Sequence, residues 1–159
     1  MLSFDRVAEI AQKVETSTER EAGGPSWAGS PFDSIRRRAP RQKGAIGSRL
    51  VREIVEASGY TCKDAGRGAD FEVGDDRVEV RTSLRWTDGN FSFAQVRDES
   101  YDQLAMLALE PFRVRLWVVP KETALEKFPN QHGTETHWLV FDADEPPGWL
   151  KPYLWLEAE

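Results

Sequence analysis

Two short runs of alternating residues carry the chemistry most accessible to this sequence. Asp70 and Glu72 alternate with Phe71 and Val73, and Glu79 and Arg81 alternate with Val78 and Val80. Side chains alternate across a strand, so the charged set shares one face and the apolar set the other. The intervening Gly74-Asp75-Asp76-Arg77 reads as the turn of a hairpin. A turn centred on Asp75-Asp76 sets Val73 opposite Val78, Glu72 opposite Glu79 and Asp70 opposite Arg81, with Asp70 diagonal to Glu79. Facing carboxylates repel unless a cation lies nearby, and Mg²⁺ is held by one or two carboxylates together with water and phosphate oxygens. A half-exposed hairpin with a polar outer face gives the same alternation with no metal at all.

The elements that position these residues follow from periodicity. In residues 2–15, Leu2, Val7, Ile10, Ala11 and Val14 recur at mostly helical spacing and predict a short amphipathic helix. Residues 16–34 are rich in Ser, Thr, Gly and Pro and read as a loop. A basic segment broken by Pro40 follows, so residues 16–43 form one loop with a basic stretch. From Gly44 to Ala57, Ile46, Leu50, Val51, Ile54 and Val55 define a helical face that Ser58-Gly59 ends. Beyond Gly59 the period becomes alternating. Strands are expected at 69–73, 78–83 and 91–97. The Leu and Ala content of 101–109 suits a helix, but Pro111 stops it and 114–119 is a strand, which favours a hairpin of two strands. A short helix at 121–128 and a strand at 137–141 complete the set. Residues 142–159 read as an acidic, aromatic tail. The whole is one domain of 159 residues, with its core over 44–141.

Composition narrows the function classes. Apolar residues are 40% and charged residues 30%, a globular balance, and no apolar run is long enough to span a bilayer or follow the start as a leader. Cys62 is the single cysteine, and His132 and His137 are the only histidines, which excludes an intrachain disulfide and nearly excludes a Cys/His zinc site. These features point to the cytoplasm. A net charge of -6 argues against a broad nucleic-acid surface, but the charge is uneven. No acid lies between Asp33 and Glu53, where Arg36, Arg37, Arg38, Arg41, Lys43, Arg49 and Arg52 occur. Screening confines a patch to about 8–10 Å, so a local basic field can meet a polyanion despite the total.

The order of motifs resembles the PD-(D/E)xK, or restriction-endonuclease-like, superfamily. The resemblance covers about residues 31–122. It rests on Pro31-Phe32, the basic run, Gly44-Ala45-Ile46-Gly47, Gly66-Arg67-Gly68-Ala69-Asp70, Val78-Glu79-Val80-Arg81-Thr82-Ser83, Phe93-Ala94-Gln95-Val96-Arg97, Tyr101-Asp102 and Leu116-Trp117-Val118-Val119-Pro120-Lys121. It implies an α/β fold with a mixed, mainly antiparallel central sheet flanked by helices. Asp70 and Glu79 then match the metal-binding carboxylates, and the Val80 carbonyl completes the shell. Gln95 matches a polar residue that positions the site, and Tyr101 follows at a related spacing. The implied activity is Mg²⁺- or Mn²⁺-dependent cleavage of DNA, in restriction or phage defence. Arg36, Arg37, Arg38, Arg41, Lys43 and Arg49 would contact phosphates.

Two residues depart from the family pattern. Arg81 stands where the family has a catalytic Lys, and Arg cannot give up a proton, so it can only stabilise transition-state charge. Ser48 stands where a Glu typically follows the second Gly. These departures motivate the alternative of a catalytically inactive nuclease-like module that binds DNA or a partner protein. The acidic C-terminal region could dock such a partner or shield the basic segment. Cutting both strands would suit a homodimer. Trp86 and Phe93 are candidates for base stacking, Trp117 and Trp138 for the core, Cys62 for a buried apolar role, and both histidines for structural or solvent-facing positions.

Overall fold

The computed structural model describes residues 3–21 and 26–159, and within the first helix the side chains of residues 3–14. Residues 1–2, with Leu2 of the expected helical face, and residues 22–25 of the expected loop lie outside these.

Helix α1, Phe4–Glu21, runs past the expected end at residue 15, since no Gly or Pro interrupts the sequence before Gly23. Its apolar stripe is exposed at Phe4, Val7, Ile10 and Val14. A four-residue helix, α2 (Asp33–Arg36), sits inside the segment expected to be loop. Helix α3 spans Pro40–Ala57, starting four residues before the expected Gly44. Pro40 does not break it but opens it. The first-turn N–H groups have no partner in any helix, so a proline loses nothing there.

The strands are β1 (Cys62–Asp64), β2 (Phe71–Val73), β3 (Asp76–Leu84), β4 (Asn90–Val96), β5 (Gln103–Glu110), β6 (Arg113–Pro120), β7 (His137–Asp142) and β8 (Leu154–Ala158). Helix α4 (Lys121–Lys127) follows β6, and a short 3-10 helix, Gly148–Tyr153, precedes β8. Six strands form one sheet in the order β1-β2-β3-β5-β6-β8. Only β3 and β5 run parallel; the other pairings are antiparallel. Strands β4 and β7 form a separate two-stranded sheet. The fold is therefore mixed α/β, with a mostly antiparallel mixed sheet flanked by helices.

Each face of the large sheet has its own core. On one, Val51 of α3 packs with Trp27, Ile35, Phe71, Val78, Val80 and Leu107. On the other, Leu104, Met106 and Trp117 meet Phe91, Phe93 and Phe141 of the small sheet, together with Ala124 and Leu150. Gly47 fixes the approach of α3 to β3: a Cβ there would stand 1.9 Å from Thr82 Oγ1. A larger residue at 47 would have to push the helix off the sheet.

Residues 142–159 are not a tail. β8 pairs with β6 and closes that edge of the sheet, and Leu150 is fully buried. Three of their acids are paired: Glu157 and Glu159 meet Arg113, at 3.1 and 3.3 Å, and Asp144 meets Arg85 at 2.9 Å. Those partners lie outside the basic segment, so the expected shielding of residues 36–49 by these acids does not occur. Among the described residues no helix is long and apolar enough to cross a membrane.

Candidate functional site

The hairpin turn is tighter than the sequence reading placed it. The register is Phe71 with Val78, Glu72 with Arg77 and Val73 with Asp76, which leaves only Gly74-Asp75 in the loop. Gly74 supplies the positive φ, +59°, that a two-residue hairpin turn of this twist requires. The pairing slips by two residues, so the faces stay as expected while the partners change. Glu72 no longer opposes Glu79; it forms a 3.1 Å ion pair with Arg77. Asp70 lies one residue beyond the last paired position, and its charge acts on Glu79. The Asp70 N–H donates to the Val78 carbonyl at 2.8 Å.

Beyond Val78, β2 no longer pairs with β3, and the free edge of β3 meets side chains instead. The Val80 N–H donates to Asp70 Oδ2 at 2.7 Å, and the Ser92 N–H donates to Ser83 Oγ at 2.9 Å. Val78, Val80 and Thr82 face α3, whereas Glu79 and Arg81 face β4. Asp70 is exposed, and Glu79 keeps only 13% of its side chain in solvent. Burial pushes the Glu79 carboxyl above the ordinary carboxylate range. The charges of Asp70 and Glu99 push the same way, and Arg81 opposes them.

Arg81 bridges the site. Its Nη1 donates to Glu79 Oε1 and, at 3.1 Å, to the Val80 carbonyl; its Nη2 donates to the Gln95 carbonyl at 3.1 Å. Gln95 thus enters through its backbone, not through the side-chain amide the sequence reading gave it. A bulge between Phe93 and Val96 turns Gln95 to φ +56°, and its side chain is exposed. Tyr101 comes close but is buried, at 2% exposure, and its hydroxyl donates to the Arg97 carbonyl at 2.7 Å. Lys121 lies over the Tyr101 ring at 5.6 Å and donates to the Glu99 carbonyl at 2.9 Å.

The basic residues divide into two groups. Arg36 and Arg37 both pair with Asp33, at 3.1 and 3.2 Å. Arg38, Arg41, Lys43 and Arg49 lie just before or along α3 and carry no ion pair among the described residues. Arg52 is structural, holding Asp64 at 2.5 Å and Glu56 at 3.4 Å. The close approach of Gly47 to Thr82 packs α3 on the face of β3 opposite the one that carries Glu79 and Arg81.

Two aromatic expectations are reversed. Phe93 is fully buried and cannot stack on a base, and Trp138, expected in the core, is 42% exposed. Trp138 lies on β7, whose outer face has no second layer, and its indole N–H donates to Ser92 Oγ at 2.8 Å. Trp117 and Cys62 are buried and Trp86 is exposed, as read from the sequence. His132 is exposed and His137 Nδ1 lies 3.0 Å from the Phe128 carbonyl, both structural positions.

Among the described residues, no group of three or more Asp, Glu, His or Cys side chains comes together to hold a metal. The donors at the β3 edge are two carboxylates and one carbonyl, an all-oxygen set of the kind a hard cation takes when substrate phosphate and water fill its remaining positions. An apolar groove of about 420 Å³, lined by Val51, Val55, Phe71 and Val118, opens on the α3 face and takes no part in this site.

No protein-family model and no curated protein matches this chain.

Proposed function

We propose that this protein is a divalent-cation-dependent DNA endonuclease of the PD-(D/E)xK kind. One observation carries the reading. The charge of Asp70 acts on the half-buried Glu79 carboxylate, and Asp70 Oδ2 accepts the Val80 N–H, where β3 has run past its pairing with β2. Mg²⁺ or Mn²⁺ held by these oxygens would supply Lewis acidity for attack of water on a phosphodiester. The chain's own residues supply the rest. Arg38, Arg41, Lys43 and Arg49 bind backbone phosphates. Arg81 stabilises negative charge on the phosphoryl oxygens and takes no proton. The Gln95 carbonyl orients Arg81.

A second reading keeps the fold and the DNA contact but not the cleavage. The hold of Arg81 on Glu79, together with Ser48 on α3, favours a silent binding module. Plasmid and phage DNA incubated with Mg²⁺ or Mn²⁺ separates the two. The endonuclease reading expects cleavage that Glu79→Ala abolishes. Cleavage retained by Glu79→Ala would show that the site is misassigned. Salt-sensitive duplex binding without cleavage under either metal would establish the silent module instead.

A further inference from the structure

We propose that Arg81 is a built-in cation that occupies the metal seat and yields it only when a phosphate group draws the guanidinium away. This rests on the endonuclease reading of the site but goes beyond it: Arg81 becomes the device that couples metal binding to nucleic-acid binding.

The argument starts from the oxygens that Arg81 contacts. Its Nη1 touches the Glu79 carboxylate and the Val80 carbonyl together, and these are two of the three donors in the proposed seat. The third, Asp70, already spends one oxygen on the Val80 N–H. A cation bound to these oxygens would need them at about 2.0–2.1 Å, and a guanidinium nitrogen already fills that approach. The two positive groups therefore compete for the same place.

The competition is sharpened by partial burial. Glu79 and Arg81 expose 13% and 28% of their side chains, and the nearby carboxylate of Asp70 adds to the negative field. The positive group that meets this field comes from the chain itself, two residues from Glu79. Arg suits this better than Lys because a planar fork can hold several acceptors at once. Here the guanidinium spans Glu79, Val80 and Gln95, which an ammonium point charge on the same strand would not reproduce.

A phosphodiester offers what is needed to move it. Two non-bridging oxygens match the guanidinium fork, and that charge-assisted pair replaces the one lost with Glu79. The Glu79 carboxylate and the Val80 carbonyl then turn free at the moment substrate arrives. Without nucleic acid the metal binds weakly; with it, the metal binds well, and by linkage each strengthens the other.

The test measures Mn²⁺ binding to the intact chain by calorimetry, with no nucleic acid present. Arg81→Lys and Arg81→Gln are each expected to bind Mn²⁺ about tenfold or more tighter than the wild type. Arg81→Lys keeps the charge, so its gain separates vacating the seat from merely lowering the local field. Arg97→Gln removes an exposed cation without touching the seat and is expected to stay within about twofold of the wild type. Adding Glu79→Gln to Arg81→Gln is expected to remove the gain. In a second arm, Ca²⁺ strengthens duplex DNA binding in the wild type by a larger factor than in Arg81→Gln, read by fluorescence anisotropy. Equal Mn²⁺ affinity in the wild type and both Arg81 variants, including no measurable binding by any of them, overturns the proposal. Equal Ca²⁺ enhancement in the wild type and Arg81→Gln overturns the release by phosphate. Neither result touches the endonuclease reading, which stands or falls on cleavage by Glu79→Ala.

Discussion

Tyr101 shows how burial separates a residue's neighbourhood from its role. It sits near Glu79, yet its hydroxyl is spent on the Arg97 carbonyl. Burial, reinforced by the charge of Glu79, raises its phenol from an ordinary value near 10 to about 12. The native state therefore holds this proton where an unfolded chain releases it. The stabilising contribution is fully present below pH 10 and is lost as the pH rises through about 12. Chemical denaturation from pH 9 to 12 should show an alkaline loss of stability that Tyr101→Phe reduces. At neutral pH the same substitution should cost about 1 kcal/mol for the lost hydrogen bond. A phenol that titrates at its ordinary value in the native protein would contradict the buried placement. At this same scale, the shared face of Asp70, Glu79 and Arg81 was legible from the sequence because alternation fixes which face a side chain takes. The Arg81 bridge was not, because it depends on where a guanidinium ends after three contacts, one of them to a backbone carbonyl fourteen residues away.

Among the elements, the register of the β2–β3 hairpin was the consequential misreading. Gly74-Asp75 is itself a two-residue turn signal, but the following Asp76-Arg77 looked equally turn-like beside it. The slip of two residues preserved every face and so preserved the candidate residues, while replacing a Glu72–Glu79 clash with a Glu72–Arg77 pair. The bulge in β4 had no comparable signal, because Gln95 is not a residue that announces a positive φ. Its φ of +56° lies where a Cβ costs about 1–2 kcal/mol, and such strain often marks a functional position. Gln95→Gly is expected to raise stability by about 1 kcal/mol in urea denaturation while leaving the carbonyl available to Arg81. A clear loss of stability would mean that the Gln95 side chain supports the bulge in some way the contacts do not show. Pro40 was misread for a related reason: the same proline ends a helix from inside and opens one at its first position.

For the whole molecule, the parts differ in how firmly the sequence declared them. Strand β6 reads clearly as an apolar run, whereas the Leu and Ala content of β5, almost wholly buried, suits a helix as well as a strand. β8 carried no such signal, since a five-residue strand at a sheet edge, mostly exposed, has neither the length nor the alternation to stand out from a tail. Helix α1 was legible as amphipathic, yet its stripe of Phe4, Val7, Ile10 and Val14 stays in solvent. Apolar side chains left this exposed contribute little to the fold. A variant lacking residues 1–14 should therefore melt within about 2 °C of the full chain by calorimetry. A drop of more than about 5 °C would show that α1 packs against the core in solution.

The one parallel pairing in the large sheet, between β3 and β5, sets the order in which these parts assemble. A parallel neighbour cannot be reached by a tight turn, so the chain must leave the sheet after Leu84 and return at Gln103. That excursion carries β4 and its bulge. Closing it costs the entropy of a long loop before any contact repays it, which places this step among the slow ones in folding. Glu79 and Arg81 lie on one side of the excursion and the Gln95 carbonyl lies within it. A partly folded chain thus has the hairpin but not the bridge. The Gln95 leg of the Arg81 grip forms only when the crossover closes; until then the guanidinium is held by its neighbours Glu79 and Val80 alone.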